Sequence, residues 1–139
     1  MIVLDTNVIS EIRRKEIDPG VAKWLLLQAP EKLFATAISL AEAMHGIEIL
    51  PDGQRKAELR RDMEDIFARL FPSRILPFDE HAALTYGRLV ASARADGRAI
   101  LMADGQIASI ARIHGFTVAT RDTAPFEAAG VPVINPWQM

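Results

Sequence analysis

The feature that most constrains this chain is a set of very short apolar runs, each followed by a turn or a helical pattern. The first is Ile2-Val3-Leu4, which leads directly into Asp5-Thr6-Asn7-Val8-Ile9-Ser10-Glu11. Three residues are too few to alternate in and out, so the run reads as a strand buried on both faces, as in a parallel sheet. Leu33-Phe34-Ala35, Arg74 to Leu76, Thr117-Val118-Ala119 and Val131 to Ile134 have the same character. Pro132 places the last of these at a sheet edge, because proline cannot donate to a ladder.

Helical patterns fill the intervals. Thr6 to Arg14 ends in Arg13-Arg14-Lys15, which suits a helix C-terminus. Asp18-Pro19 reads as a cap and first helical residue, opening a helix that carries Val21, Trp24, Leu25 and Gln28 and stops at Pro30. Ser39 to Leu50 reads as a helix opened by a Ser39–Glu42 capping box. Gln54 to Leu70 puts Leu59, Met63, Ile66, Phe67 and Leu70 on one face. Asp79 caps a helix to Ala95 with Leu84, Leu89 and Val90 as core, and Met102 to Gly115 turns Ile107, Ala108, Ile110 and Ala111 inward. Strands alternating with helices predict a single α/β domain over residues 1–139, with three α/β/α layers and a central, mainly parallel sheet of four to five strands.

Composition removes several functions. The chain has 139 residues and no cysteine, which leaves no disulfide, no thiolate nucleophile and no cysteine-bound zinc. No apolar run reaches the ~20 residues of a membrane span, and the N-terminus lacks a signal-peptide pattern, so a cytoplasmic setting is expected. A net charge of −2 argues against holding nucleic acid by bulk electrostatics, though not against a nuclease that engages its substrate locally. A hydrophobic fraction of 50% leaves apolar surface for a partner or a second copy.

Four acids occupy equivalent places in this layout. Asp5 and Asp122 follow strands, and Glu42 and Asp104 open helices. Residues beyond the carboxyl ends of parallel strands line the crevice where ligands bind, so the four are expected to share a cleft. Each alone reads more simply as a helix cap. Together they raise an electrostatic problem: two like charges ~4 Å apart repel by about 4 kcal/mol at an effective dielectric of about 20. Either protons stay on or a multivalent cation sits among them, and all-oxygen ligation favours Mg²⁺ or Mn²⁺.

These residues, taken in order, resemble a known family. Leu4-Asp5-Thr6-Asn7-Val8-Ile9-Ser10-Glu11, Ala41-Glu42, Ala103-Asp104-Gly105-Gln106-Ile107-Ala108 and Ala119-Thr120-Arg121-Asp122-Thr123 are similar to the motifs of PIN domains. More narrowly they resemble VapC-type toxin ribonucleases of the FitB-like branch, whose closing Asn-Pro-Trp matches Asn135-Pro136-Trp137. The resemblance implies the toxin of a type II toxin–antitoxin pair, a Mg²⁺-dependent endoribonuclease with Mn²⁺ as a substitute metal. It implies an acidic quartet of Asp5, Glu42, Asp104 and Asp122, in which Asp5 and Asp104 contact metal and Glu42 and Asp122 act directly or through water. Thr6, Asn7 and Thr120 would orient these ligands. Implied partners are RNA, a DNA-binding antitoxin and a second copy of the chain, extending to a higher assembly on operator DNA. The helix after Glu42 departs from the family pattern at Ala43-Met44-His45-Gly46.

Other residues are weighed against plainer roles. Arg121, beside Asp122, is a candidate phosphate contact. Arg13-Arg14-Lys15 could guide RNA, whereas Arg55, Lys56, Arg60 and Arg61 fit a solvated helix face. His45, His81 and His114 lack metal-ligand spacing, and Trp24 and Trp137 read as core or interface. A phosphatase or phospho-acceptor role for Asp5 is disfavoured because residue 7 is Asn and no lysine follows Lys56. A regulatory subunit that acts only by dimerising and binding an antitoxin is the alternative, and four retained acids weigh against it.

Overall fold

The structure, a computed structural model, describes residues 1–139. In chain order it runs β1 (Ile2–Leu4), α1 (Thr6–Arg13), α2 (Pro19–Leu26), β2 (Leu33–Thr36), α3 (Ala37–Glu48), α4 (Gln54–Leu70), β3 (Ile75–Leu76), α5 (Glu80–Ala95), α6 (Met102–His114), β4 (Thr117–Ala119), α7 (Ala124–Ala128) and β5 (Val133–Ile134). The sheet has five strands in the order β3-β2-β1-β4-β5, and every pairing is parallel. The expected three-layer α/β/α architecture is therefore present, with β5 at an edge as its neighbouring proline required.

The strand order explains where a site can form. From β1 the chain builds outward through β2 to β3, then returns to add β4 and β5 on the other side. The reversal lies between β1 and β4, and in parallel α/β sheets a crevice opens at such a switch point, beyond the strands' carboxyl ends. Asp5 stands at the end of β1 and Thr120 at the end of β4.

Alternation along the strands divides the core in two. Leu4, Leu33 and Ala35 face α1 to α4, where Val8, Ile9, Met63 and Phe67 are buried. Val3 and Val118 face α5 to α7, packing against Ile107, Ala108 and Phe126. The middle of α6 is interior: Ile107, Ala108, Ile110 and Ala111 are all 0% exposed. No helix is long and apolar enough to cross a membrane.

Four local expectations are corrected. α3 begins at Ala37 with Thr36 as its cap, Thr36 Oγ1 accepting the Ser39 N–H at 3.0 Å. The Ser39–Glu42 capping box does not form, and Glu42 falls in the second turn of α3, not the first. α2 ends at Leu26, short of Gln28, whose side chain instead donates back to the Trp24 carbonyl. Leu84 is 60% exposed on α5, since Ala82, Leu89 and Ala93 form the inward face. The short helix α7 went unread because Pro125 and flanking alanines give no periodic signal, yet it buries Phe126 completely.

α6 can lie close to α5 because position 105 has no side chain. A Cβ on Gly105 would stand 2.8 Å from Tyr86 Cε2 and 2.9 Å from Val90 Cγ2. Gly105→Val should thus force α6 away from α5 and destabilise the fold by about 2 kcal/mol, in the range of core overpacking. The shift is read as a lowered urea midpoint, and an unchanged midpoint would show that the helices can relax apart freely.

Candidate active site

Asp5 is the fixed point of the crevice. Its backbone N–H donates to the Ala119 carbonyl at 2.9 Å, continuing the β1–β4 ladder one residue past the strand. Its side chain caps α1: Oδ1 accepts the Thr6 N–H at 2.8 Å. Oδ2 accepts the Thr120 hydroxyl at 2.9 Å and, more weakly, the Asn7 amide at 3.4 Å. Thr120 is itself fully buried, and its Oγ1 also accepts the Asp122 N–H at 3.1 Å and the Asn7 Nδ2–H at 3.2 Å. Asn7 Oδ1 accepts the Arg121 N–H at 3.2 Å. Two segments more than a hundred residues apart are thereby locked together through one carboxylate and its neighbours.

The other acids approach from different elements. Glu42 reaches in from α3, where its Oε1 accepts the Thr6 hydroxyl at 2.7 Å. Asp104 is the third residue of α6 and half-buried. Asp5, Glu42 and Asp104 share a cleft of about 480 Å³ with Thr6, Asn7, Ser10, Glu11, Arg13, Arg14, Arg121 and Trp137. Asp122 does not line it. That residue is exposed and borders a smaller neighbouring pocket with Arg98 and Pro125, close enough to Asp104 to raise its proton affinity. Three of the four expected acids thus meet in one cleft, and the fourth, Asp122, borders a separate pocket while still acting on Asp104 through its charge.

Electrostatics follow from this placement. Burial pushes the Asp5 carboxyl up to about 6; the Thr120 and Thr6 hydrogen bonds oppose the rise, and Asp104 and Glu42 add to it. Asp104 is also raised, first by burial and then by Glu42 and Asp122. The acids feel one another's charge, although no three gather into a finished ligand cage. Their donor set is all oxygen, and the excess negative charge is what a hard divalent cation relieves. The residues fit such an ion in chemistry.

The histidines line no part of this cleft. A larger concavity of about 690 Å³ outside α5 to α7 contains His81, Arg88 and Arg112 but no carboxylate, so it lacks the oxygen-anion ligands that Mg²⁺ or Mn²⁺ prefers. The long helix pairs its basic face locally, as Lys56 with Asp52 and Arg69 with Asp65, or with α3, as Arg60 with Glu48. The paired-face reading holds for Lys56 and Arg60, but the Lys56 side chain is largely buried between Glu48 and Asp52 and is not solvated. Ser10, Glu11 and Trp137 are cleft residues that were not singled out for a role. The signal for the first two was present: Thr6, Asn7, Ser10, Glu11 and Arg14 form a polar stripe at helical spacing that starts from Asp5.

The profile of the PIN domain matches residues 2–131. The chain belongs to the PIN domain family. Across this family the chain is similar to the VapC ribonuclease Y4jK of Sinorhizobium fredii, with 46% identity over 99% of both chains. It is likewise similar to the toxin FitB of Neisseria gonorrhoeae, with 44% identity over 99% of both. The solved structure of FitAB bound to an IR36 DNA fragment superposes with a TM-score of 0.93 at 45% identity, covering 100% of this chain and 97% of that one.

Asp5 gives the PIN domain a testable pH dependence. The carboxyl binds its proton more tightly in the folded state, at about 6, than at the usual 3.8. Its contribution to stability is therefore full below pH ~4 and is lost as pH rises through ~6, a loss of about 3 kcal/mol at 1.36 kcal/mol per unit. In EDTA, the urea stability of the unsubstituted chain should fall relative to Asp5→Asn between pH ~4 and ~7. A difference between the two that does not change with pH would contradict this reading of Asp5.

Proposed function

We propose that this PIN domain is the toxin of a type II toxin–antitoxin pair and acts as a divalent-metal-dependent endoribonuclease. The observation that carries the reading is a buried, proton-avid Asp5 carboxylate sharing one cleft with Asp104 and Glu42. Similarity to a VapC ribonuclease and to toxin FitB over nearly the whole chain supports it. Residues 1–139 act in this reading as one domain, in the cytoplasm.

Asp5 and Asp104 would hold Mg²⁺, or Mn²⁺ in its place, with Glu42 and Asp122 completing the site directly or through water. When bound, the ion supplies Lewis-acid polarisation of a phosphate oxygen and a water acidic enough to be deprotonated near neutral pH. The chain supplies the rest. Thr120, the Thr6 N–H and Asn7 fix the Asp5 oxygens, so the ligand does not have to reorganise on binding. Thr6 engages only Oε1 of Glu42, leaving Oε2 free to accept a proton from the attacking water. Arg121 reaches the same cleft as a phosphate contact. Cleavage of the phosphodiester leaves a 5′-phosphate and a 3′-hydroxyl.

The partners follow the same reading. FitAB is solved on a DNA fragment, which supports a DNA-binding antitoxin that carries this toxin to operator DNA. A homodimer is the expected unit, with exposed Ile49, Leu101 and Met102 as apolar surface available for contacts.

Asp104→Asn removes one ligand and one charge while keeping the shape of α6. It should lower RNA cleavage by at least about 100-fold with the fold intact. EDTA should abolish cleavage by the unsubstituted chain, and Mg²⁺ or Mn²⁺ should restore it. Equal cleavage by the variant, or full activity in excess EDTA, would sink the metal-ribonuclease reading. Expression of the chain alone should halt growth, and Asp5→Ala should relieve the arrest.

A further inference from the structure

Three arginines line the cleft beside its acids. Arg13 and Arg14 come from the end of α1, and Arg121 comes from the turn after β4. Arg14 is bonded to Glu11 at 3.3 Å, whereas neither Arg13 nor Arg121 has a carboxylate within ion-pair distance. This is unexpected for Arg121, because four acids, Asp5, Glu11, Glu42 and Asp104, line the same cleft and the fold gains by pairing opposite charges.

The closing turn of the chain accounts for it. Residues Pro136–Gln138 form a single 3₁₀ turn, and the Arg121 guanidinium lies 5.2 Å from the centroid of the Trp137 ring. Asn135 ties both residues down: Nδ2 donates to the Arg121 carbonyl at 3.4 Å, and Oδ1 accepts the Trp137 N–H at 3.0 Å. Asn7 takes the Arg121 N–H from the other side. The turn rests on the start of α2, where a Cβ on Gly20 would come within 3.2 Å of the Pro136 carbonyl oxygen. A guanidinium backed by a ring keeps its charge, and its edge donors stay free for a ligand.

We propose that Arg121, backed by Trp137 and joined by Arg13, forms a phosphate subsite for the RNA nucleotide next to the scissile bond. Trp137 and Asn135 are positioning residues that act through Arg121. The proposal rests on the ribonuclease reading and deepens it. The acidic wall faces the scissile phosphate, and the planar fork of Arg121 suits a neighbouring one. A cleft of about 480 Å³ is on the scale of a small-molecule pocket, with room for a nucleotide or two of a single strand.

The test measures binding and cleavage separately. Binding of a single-stranded oligoribonucleotide is followed by fluorescence anisotropy across a KCl series, with Asp104→Asn preventing cleavage. KM and kcat are measured with Asp104 intact. Loss of one phosphate contact lowers the log–log salt slope of single-strand binding by about 0.7. Arg121→Gln should show that drop, with KM raised about 10-fold and kcat within about twofold. Trp137→Leu should raise KM about fivefold, and Trp137→Phe should restore most of it. Arg121→Lys should not rescue, because an ammonium lacks the planar fork. Arg88→Gln, on α5 and away from the cleft, should leave the slope unchanged. If Trp137→Leu fails to fold, Trp137→Phe and Arg121→Gln still decide the matter.

An unchanged slope and KM in Arg121→Gln, or an equal drop in Arg88→Gln, overturns the subsite. Cleavage by the unsubstituted chain gauges the ribonuclease reading on its own. A chain that binds with an Arg121-dependent slope but never cleaves keeps the subsite and overturns that reading. One that cleaves without regard to Arg121 overturns the subsite alone.

Discussion

The placement of one carboxylate, Asp5, at the reversal of strand order is the constraint on which the rest of this structure depends. Its backbone extends the pairing of β1 with β4, and its side chain caps α1 and binds Thr120. Removing a carboxylate from water is expensive unless it is well hydrogen-bonded. Here hydrogen bonds from Thr6, Thr120 and Asn7 do not fully offset burial, because the proton affinity stays raised. The fold thus holds a group that is satisfied in geometry yet unsatisfied in charge, at the point where parallel sheets bind ligands.

α1 shows how little chain this arrangement needs. Its eight residues bury Val8 and Ile9 in one layer of the core. The opposite face turns Thr6, Asn7, Ser10 and Glu11 to the cleft. Glu11 is only 5% exposed and its carboxylate accepts the Asp18 N–H at 2.8 Å, fixing the loop that leads to α2. The same carboxylate neutralises Arg14. One helix supplies core, acid-orienting groups and part of the basic wall, so a change in its register would disturb all three.

Most of this was legible in the sequence where local chemistry and tertiary position agreed. All five strands could be read from short apolar runs, and Asp5 and Asp18 act as the caps that their residue types suggest. Reading failed where a distant contact decided. Ser39 and Glu42 have the spacing of a capping box, but Thr36 sits closer to the end of β2 and takes the cap. Glu42 is then free to bind Thr6 from another helix, a contact between residues 36 apart that no local pattern encodes. Leu84 has the composition of a core residue and is on the outer face, because small residues, Ala82 and Ala93, let α5 pack closely. Trp137 was read as core or interface. Its ring is half-buried among core residues, and only the fold reveals that its open face meets Arg121.

Asp104 shows which electrostatic effect wins in the cleft. It lies in the first turn of α6, and its proton affinity is raised, first by burial and then by the nearby charges of Glu42 and Asp122. Two devices that could have relieved this excess are not used. Arg121 lines the same cleft but is held against Trp137, and Arg14 is taken up by Glu11. Acids left uncompensated beside arginines left unpaired do not stabilise a folded chain by themselves. They match a ligand pair of opposite charges, a cation on one wall and a phosphate strand along the other.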